Sequence, residues 1–305
     1  MTTPTPLKQN DKVALIATSG IVNPQKLNQG IKILENMGLR PYVSQSCYAS
    51  HEYLAGDDTL RLHDLHAAFA DTQTRAIFVA RGGYGAARLL PHIDYGLIAK
   101  NPKIFAGYSD VTALHIAINQ NSGLVTYHAP MPAADLPTAD KQTLDSFYSM
   151  LFTQSTQIHF DRFSELAVRI TAPITGGNLT LIASTLGTPY EIDTRGKMLF
   201  MEEVNEEPYK IDRLLTQLKH AGKLRDALGF ILGSFTTPSS YKKIQLAISE
   251  LLFPENKPII SHFPSGHCMP NITFPLGQNA EILMEAPNEF QIHFQNQGMS
   301  PLSHL

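Results

Sequence analysis

A single serine stands where two predicted elements meet in the segment KIFAGYSDVTALHIAI, residues 103–118. The apolar run predicts a buried strand, and the helical spacing of apolar residues over 111–118 predicts a helix directly after it. Ser109 would lie on the sharp bend between them, with Gly107 relieving the crowded backbone. The N–H of Asp110 would point to the same place as the hydroxyl. Such a bend is typical of a serine nucleophile with half of an oxyanion hole.

The same bend allows a second interpretation, in which Ser109 or Asp110 only caps the helix. Serine and aspartate are both favoured N-cap residues. The usual nucleophile pattern also has a second glycine two residues after the serine, and Val111 occupies that position here. The local sequence therefore leaves both the cap and the nucleophile open.

A glycine cluster follows another predicted strand in FVARGGYGAARLL, with glycines at 82, 83 and 85. In a parallel sheet this loop would share the carboxyl edge with Ser109. Its free N–H groups can supply a second oxyanion donor, cradle a phosphate or simply form a tight turn. The spacing is neither G-x-G-x-x-G nor a Walker loop, which disfavours a nucleotide site. Arg81, directly before the cluster, is suited to bind a substrate carboxylate.

An activated serine needs a base, usually histidine, and an acid that orients the base. The chain has twelve histidines. His115 falls on the apolar stripe of the helix after Ser109 and is expected in the core. His267 lies in the irregular segment SGHCMPNITFPLG, and loops carry chemistry more often than regular elements. We therefore favour His267 as the base, with His128 as the second candidate.

Two adjacent carboxylates, Glu202 and Glu203, end the apolar run KMLFMEEV. Strand alternation places them on opposite faces. A buried carboxylate is costly without a partner, so one of them should point towards a site while the other reaches solvent. The residues alone do not choose between them.

Bulk composition excludes several classes of function. The 305 residues carry a formal net charge of −3, which gives no basis for binding nucleic acid or an anionic membrane. No apolar run approaches the roughly 18 residues that a membrane span needs. Cys47 and Cys268 do not make a disulfide framework, and a reducing cytoplasm fits this cysteine content. We expect a cytoplasmic protein without membrane contact.

The first half alternates predicted strands and helices. Strands are predicted at KVALIAT, RPYVSQ, RAIFVA and KIFAGY. Asn23 and Pro24 indicate a helix start and Gly38 its end, and further helices are predicted around 60–70 and 84–90. This alternation requires crossover connections and predicts a mostly parallel, doubly wound sheet.

A loss of periodicity with added polar residues over 152–165 suggests a domain boundary. We assign an N-terminal α/β domain to 1–152, a linker to 153–166 and a second domain to 167–305.

The second domain is predicted to be rich in strands. MLFMEEV and LGFILGSF read as strands, and 209–221 as a helix with an apolar face. Residues 281–285 and 289–294 are expected to pair in an antiparallel manner around a turn at Pro287 and Asn288.

Taken together, these segments resemble the LD-carboxypeptidases of the S66 serine peptidase family, which also contains microcin C immunity peptidases. The similar segments run almost from end to end: IATSG, ARGGYGAARLL, AGYSDVTAL, GGNLTLIASTLGTPY, LFMEEVNEEPYKIDRLLTQL, GSF and GHCMPNITFPLG. One departure is Thr18, where many members have a proline before Ser-Gly.

The resemblance implies a Ser-Glu-His triad in this chain. Ser109 matches the nucleophile, Glu202 the acid and His267 the base. The N–H groups of Asp110 and Gly83 are then expected to hold the oxyanion.

The resemblance also implies a flavodoxin-like N-terminal domain, a C-terminal β-rich α/β domain, a site between them and a homodimer. The expected substrate is a small muropeptide, the murein tetrapeptide, cleaved before its terminal D-alanine without a metal or cofactor. Arg81, Tyr84 and Asn178 are expected to contact it. The alternatives are a microcin-type peptidase acting on aminoacyl-nucleotide conjugates and a non-catalytic peptide-binding module.

Overall fold

Two β-sheets organise the computed structural model, which describes residues 1–154, 157–160, 169–286 and 289–294. The strands are, in chain order, β1 (Lys12–Ile16), β2 (Arg40–Val43), β3 (Thr74–Val79), β4 (Ile104–Gly107), β5 (Thr126–His128), β6 (Gln157–Phe160), β7 (Arg169–Asn178), β8 (Met198–Glu203), β9 (Gly229–Phe235), β10 (Ile259–Ile260), β11 (Phe274–Leu276), β12 (Asn279–Ala286) and β13 (Glu289–Phe294).

Helices connect most of these strands. They are α1 (Pro24–Asn36), α2 (Asp58–Ala70), α3 (Tyr95–Lys100), α4 (Thr112–Ser122), α5 (Lys141–Phe152), α6 (Leu179–Ser184), α7 (Pro208–His220), α8 (Lys223–Asp226) and α9 (Tyr241–Leu252). Short 3-10 turns lie at Gln45–Cys47, Ala86–His92, Ser109–Val111, Leu136–Thr138 and Phe253–Glu255. No helix in the described part of the chain is long and apolar enough to cross a membrane.

The first sheet has the order β11-β5-β4-β3-β1-β2, and β1 to β5 run parallel. Helices cover both faces. Leu27 and Leu34 of α1 pack with Val13 on one face, while Leu65 of α2 packs with Ala14 on the other. Successive residues of β1 therefore face two apolar layers and Val13 to Ile16 are all buried, which confirms the doubly wound parallel sheet.

The second sheet has the order β10-β9-β8-β7-β12-β13-β6 and mixes parallel with antiparallel pairs. The predicted antiparallel pair is present as β12 and β13. The turn predicted at Pro287 and Asn288 lies outside the described residues. So does most of the predicted linker, although β6 lies within it and pairs with β13.

Several local predictions are confirmed in detail. The Asn23 side chain accepts hydrogen bonds from the N–H groups of Gln25 and Lys26 at the start of α1. Gly38 follows the helix with φ +84°, and α7 ends within one residue of the predicted helix over 209–221.

The helix predicted around 84–90 is wrong in type, because the chain forms a 3-10 turn at Ala86–His92 instead. Gly85 precedes it with φ +131°. The Ala86 N–H donates to the Asp110 side chain, and Pro91 lacks an N–H to donate within a helix. These constraints prevent a regular α-helix there.

The two sheets meet where the end of β7 approaches the start of α4. The Asn178 N–H donates to Oγ1 of Thr112 at 2.9 Å. A Cβ on Gly177 would lie 2.4 Å from that same oxygen, and a Cβ on Gly176 would lie 2.0 Å from the carbonyl oxygen of Phe200. Both glycines have positive φ. Gly177 therefore allows the close approach between the two sheets, and Gly176 allows the close approach of β7 to β8 within the second sheet.

We predict that Gly176→Ala lowers the free energy of unfolding by roughly 3 kcal/mol or more, since its Cβ would meet backbone that cannot move aside. Gly187→Ala is the matched control, because Gly187 also has positive φ but a Cβ there has open space around it. That control should cost only about 1 kcal/mol of conformational strain. Urea unfolding of both variants measures the difference, and equal losses would contradict this packing.

Candidate active site

Ser109 lies on a strained bend between β4 and α4. It is the first residue of the 3-10 turn and has φ +64°, a value that non-glycine residues rarely adopt. Its side chain is partly exposed, whereas Tyr108 and Asp110 on either side are buried. Within the described residues, no side chain makes a capping hydrogen bond at the start of the turn or of α4. The capping interpretation therefore loses its support, and the bend has the shape predicted for a nucleophile.

Asp110 ties together three loops at the carboxyl edge of the first sheet. Its Oδ2 accepts hydrogen bonds from the Ser19 hydroxyl at 2.6 Å and from the Ala86 N–H at 2.8 Å. Burial raises the pKa of Asp110, and these two hydrogen bonds oppose that rise. Because Ser19 follows β1 and Ala86 follows β3, the aspartate fixes both loops against the serine bend.

The glycine loop comes directly against the serine. A Cβ on Gly82 would lie 3.0 Å from Oγ of Ser109. The Gly82 carbonyl accepts hydrogen bonds from the Gly20 N–H and from Nε of Arg81. A trans peptide points its carbonyl and the next N–H in opposite directions, so the Gly83 N–H is directed away from Gly20.

Glu202 and His267 form a buried pair. Nδ1 of His267 donates to Oε2 of Glu202 at 2.7 Å, and the glutamate side chain has 0% exposure. A Cβ on Gly266 would lie within 2.9 Å of the Glu202 side chain, which explains the glycine before the histidine. Burial lowers the pKa of His267, but the hydrogen bond and charge of Glu202, with smaller effects of Asp135 and Glu203, raise it above its usual value.

The expectation that one glutamate reaches solvent is wrong, because Glu203 is also buried. Its carboxylate accepts hydrogen bonds from the side chain of Asn178, from the N–H and hydroxyl of Thr180 and from the Val204 N–H. These donors at the N-terminus of α6 compensate the buried charge. Glu203 therefore has a structural role, because both of its oxygens are occupied by these donors. Glu202 is the carboxylate that bonds to His267.

The remaining candidate histidines lie in the core. His115 is buried and its Nε2 donates to the Gly107 carbonyl at 2.9 Å, as expected for a core residue. His128 is fully buried among aromatic rings, and neither of its ring nitrogens has a hydrogen-bond partner among the described residues. Burial lowers the pKa of His128 well below the usual value.

The three residues expected to contact substrate are placed differently. Arg81 is partly buried, and its Nη1 donates to the Ile21 carbonyl at 2.8 Å. Tyr84 is exposed, and its ring centroid lies 5.8 Å from that of Tyr53. Asn178 is buried, with Nδ2 bonded to Glu203 and Oδ1 accepting from the N–H of residue 181. The asparagine thus has internal partners for both of its polar atoms.

Arg61 is a positioning residue that the sequence reasoning missed. Its guanidinium is fully buried and donates to the carbonyls of Thr18 and Gly85 and to the carboxylate of Asp58. It therefore holds the loops after β1 and β3 that face Ser109. The signal in the sequence is an arginine at helical spacing with the apolar residues of α2.

One cavity lies away from this chemistry. About 650 Å³ opens between α9 and the ends of β9 and β10, with a mostly apolar lining that contains none of the predicted site residues in the described ranges. No group of three or more His, Cys, Asp or Glu among the described residues is arranged to hold a metal ion.

Two family models match the chain: the LD-carboxypeptidase N-terminal domain over residues 13–129 and the LD-carboxypeptidase C-terminal domain over residues 171–282. These ranges cover well over half of the 305 residues. The chain belongs to the LD-carboxypeptidase family. The predicted family is confirmed, and membership makes the protein a hydrolase of the carboxypeptidase type.

Known proteins match it along almost their whole length. A probable murein peptide carboxypeptidase of Bacillus subtilis is 41% identical over 287 residues, which are 91% of this chain and 90% of that protein. The crystal structure of a muramoyltetrapeptide carboxypeptidase from Oxalobacter formigenes is 28% identical with a TM-score of 0.85, covering 93% of this chain and 99% of that one. An MccF-like protein from Bacillus anthracis is 27% identical with a TM-score of 0.87, covering 97% and 100%. The predicted two-domain α/β fold is confirmed.

We predict that Arg61→Met lowers the free energy of unfolding by roughly 3 kcal/mol or more, because the buried carbonyls of Thr18 and Gly85 lose their charged donor. Arg88→Met is the matched control, since Arg88 also pairs with Asp58 but is 45% exposed. An exposed pair of this kind contributes less than about 1 kcal/mol. Denaturant unfolding of both variants measures the two losses in free energy of unfolding. Similar losses would show that Arg61 does not hold the loops after β1 and β3.

Proposed function

We propose that this protein is a serine-type LD-carboxypeptidase that releases the terminal D-alanine of a murein tetrapeptide, with Ser109 as nucleophile, His267 as base and Glu202 as acid. The observation that carries the proposal is the buried Glu202–His267 pair at 2.7 Å. The His267 ring contacts the ring of Tyr108, the residue directly before the strained serine, with centroids 4.9 Å apart. The base and the bend therefore belong to one site.

The first half of the reaction forms an acyl-enzyme. Because Nδ1 of His267 donates to Glu202, the other ring nitrogen is the acceptor that removes the proton from Ser109. Oγ then attacks the carbonyl carbon before D-alanine. The N–H groups of Asp110 and Gly83 stabilise the oxyanion, and each such donor is typically worth about 10²–10³ in rate.

The second half returns the enzyme to its starting state. The imidazolium of His267 gives its proton to the leaving amine as the C–N bond breaks, and Glu202 stabilises the positive charge until then. Water, deprotonated by the same histidine, attacks the ester carbon. As the bond from that carbon to Oγ of Ser109 breaks, His267 returns the proton to Oγ and the shortened peptide is released. Every proton in this cycle is carried by side chains of the chain itself.

The substrate class rests on the relatives and on the glycine loop. The two proteins of highest identity described above are named for murein peptide and muramoyltetrapeptide. Arg81 lies beside the loop that faces Ser109 and is suited to bind the terminal carboxylate of a short peptide. The similarity to the MccF-like protein supports a second candidate, which is hydrolysis of aminoacyl-nucleotide conjugates. The greater identity to the murein peptide relative favours the first.

We further propose that the protein acts in the cytoplasm as a homodimer, in the recycling of peptidoglycan. Cys47 and Cys268 are both free thiols, as a reducing compartment would keep them. The boundaries at 1–152, 153–166 and 167–305 remain predictions.

Ser109→Ala is predicted to abolish release of D-alanine while leaving the fold intact, because the hydroxyl is the attacking group. Ser122→Ala is the control, since Ser122 lies at the other end of α4 and donates to the Ile118 carbonyl. Mass spectrometry of a murein tetrapeptide incubated with each protein measures the loss of one alanine. A second incubation with an aminoacyl-nucleotide conjugate tests the alternative substrate. Near-normal turnover by Ser109→Ala would show that the nucleophile is another residue.

Glu202→Gln is predicted to reduce kcat by roughly 10²–10⁴ and to shift the acid limb of kcat/KM to lower pH. The base works only when neutral, so activity falls as pH drops through the pKa of His267. The Glu202 carboxylate raises that pKa, and removing its charge lowers it.

Glu250→Gln, an exposed change in the same half of the chain, serves as the control and should leave the pH profile unchanged. An acid limb that stays in place in Glu202→Gln would show that Glu202 does not act on the base.

A further inference from the structure

A second carboxylate approaches the base from the first domain. Asp135 lies just before the 3-10 turn Leu136–Thr138. Its Oδ1 accepts the Tyr108 hydroxyl at 2.7 Å, and its Oδ2 accepts the Met131 N–H at 3.0 Å. Burial raises the pKa of Asp135, whereas these two hydrogen bonds, one on each oxygen, favour its ionised form. Burial, followed by the charge of Asp135, raises the pKa of Tyr108, so the tyrosine remains the donor.

Tyr108 links Asp135 to His267, because its hydroxyl bonds to the carboxylate and its ring contacts the imidazole. Tyr108 is 3% exposed, and its ring centroid lies 4.9 Å from that of His267 and 5.3 Å from that of His128. The imidazole is therefore in contact with a ring whose hydroxyl is held by Asp135. Tyr108, which contacts the proposed base, and Ser109, the proposed nucleophile, are adjacent residues of the chain.

We propose that Tyr108 and Asp135 are positioning residues for the reaction: the Tyr108–Asp135 hydrogen bond holds the tyrosine ring against His267, and the Asp135 charge favours the imidazolium that forms when Ser109 loses its proton. The proposal rests on the role of His267 as base in the proposed function. It assigns two residues beyond the triad, one on each side of the serine bend.

The electrostatic surroundings of His267 come from three parts of the chain. The groups that act on it or lie against it are Glu202 and Glu203 of β8, Asp135 and Tyr108 of the first domain, His128 of β5 and the neighbouring Cys268. Glu202 is the strongest, because it is hydrogen-bonded. Asp135 is the next carboxylate in the order of effects that raise the pKa of His267, ahead of Glu203.

This arrangement solves a difficulty of the buried base. Glu202 uses Oε2 for His267, and its Oε1 has no hydrogen-bond partner among the described residues. Burial also disfavours the imidazolium. The negative charge of Asp135 near the ring lowers the cost of the charged intermediate without competing for Nδ1. The geometry of Asp135 is suited to this because its own oxygens are already bonded.

The test is an NMR titration of the His267 ring, which needs no turnover, together with the pH profile of kcat/KM. In Asp135→Asn the amide can still accept the tyrosine hydroxyl but carries no charge. We expect the His267 pKa and the acid limb to move down together by roughly 0.5 to 1 pH unit. Asp145→Asn is the control, because Asp145 is a 60% exposed aspartate of the same domain, on α5. It should change neither.

An unchanged His267 titration in Asp135→Asn overturns the electrostatic role, even if the rate falls, because a merely structural role of Asp135 would leave the pKa of His267 unchanged. Tyr108→Phe tests positioning, since it keeps the ring and loses the bond to Asp135. We expect kcat to fall roughly tenfold with KM nearly unchanged, and wild-type kcat would overturn that role.

Tyr108→Phe also carries the test if Asp135→Asn does not fold. Failure of the proposed function is distinguishable from failure here. If the proposed function is wrong, Ser109→Ala remains active, whereas the titration still measures the effect of Asp135 on the pKa of His267.

Discussion

A carboxylate without exposed surface at the end of β8 is the constraint on which the site depends. Burying the charge of Glu202 is costly unless a donor compensates it, and His267 supplies that donor at 2.7 Å. The same bond fixes the ring and its protonated nitrogen, so the opposite nitrogen is left to act as a base. A stabilising requirement of the fold and the orientation needed for catalysis are therefore met by one interaction.

The other half of the site depends on loops held by buried polar groups. Asp110 binds the loops after β1 and β3, and Arg61 binds the carbonyls of both. The contact between Thr112 and the Asn178 N–H then joins the serine bend to the second sheet. Through the register of β7 with β8, Asn178 lies opposite Glu202. The proposed nucleophile and the proposed acid are thus connected through a short chain of contacts.

Much of this arrangement follows from patterns that are local in sequence. The strand, bend and helix around Ser109 and the α/β alternation are set by apolar spacing and glycines, so they were predictable. The choice of Glu202 over Glu203 was not, because it depends on donors at α6 that are distant along the chain. The place of β11 was not predictable either, because this strand comes from the second half of the chain and pairs with β5 of the first sheet. Arg61 was missed because its helical spacing does not reveal the two loop carbonyls, those of Thr18 and Gly85, to which it donates.

Covalent labelling tests the central claim that the Glu202–His267 pair makes Ser109 a nucleophile. The protein is treated with a fluorophosphonate, which reacts with activated serines, and the adduct is located by peptide mass spectrometry. The account predicts one adduct, on Ser109, whose formation slows strongly in His267→Ala and at pH below the pKa of the histidine. A protein that acquires no adduct, or acquires it on a different serine, would contradict the account.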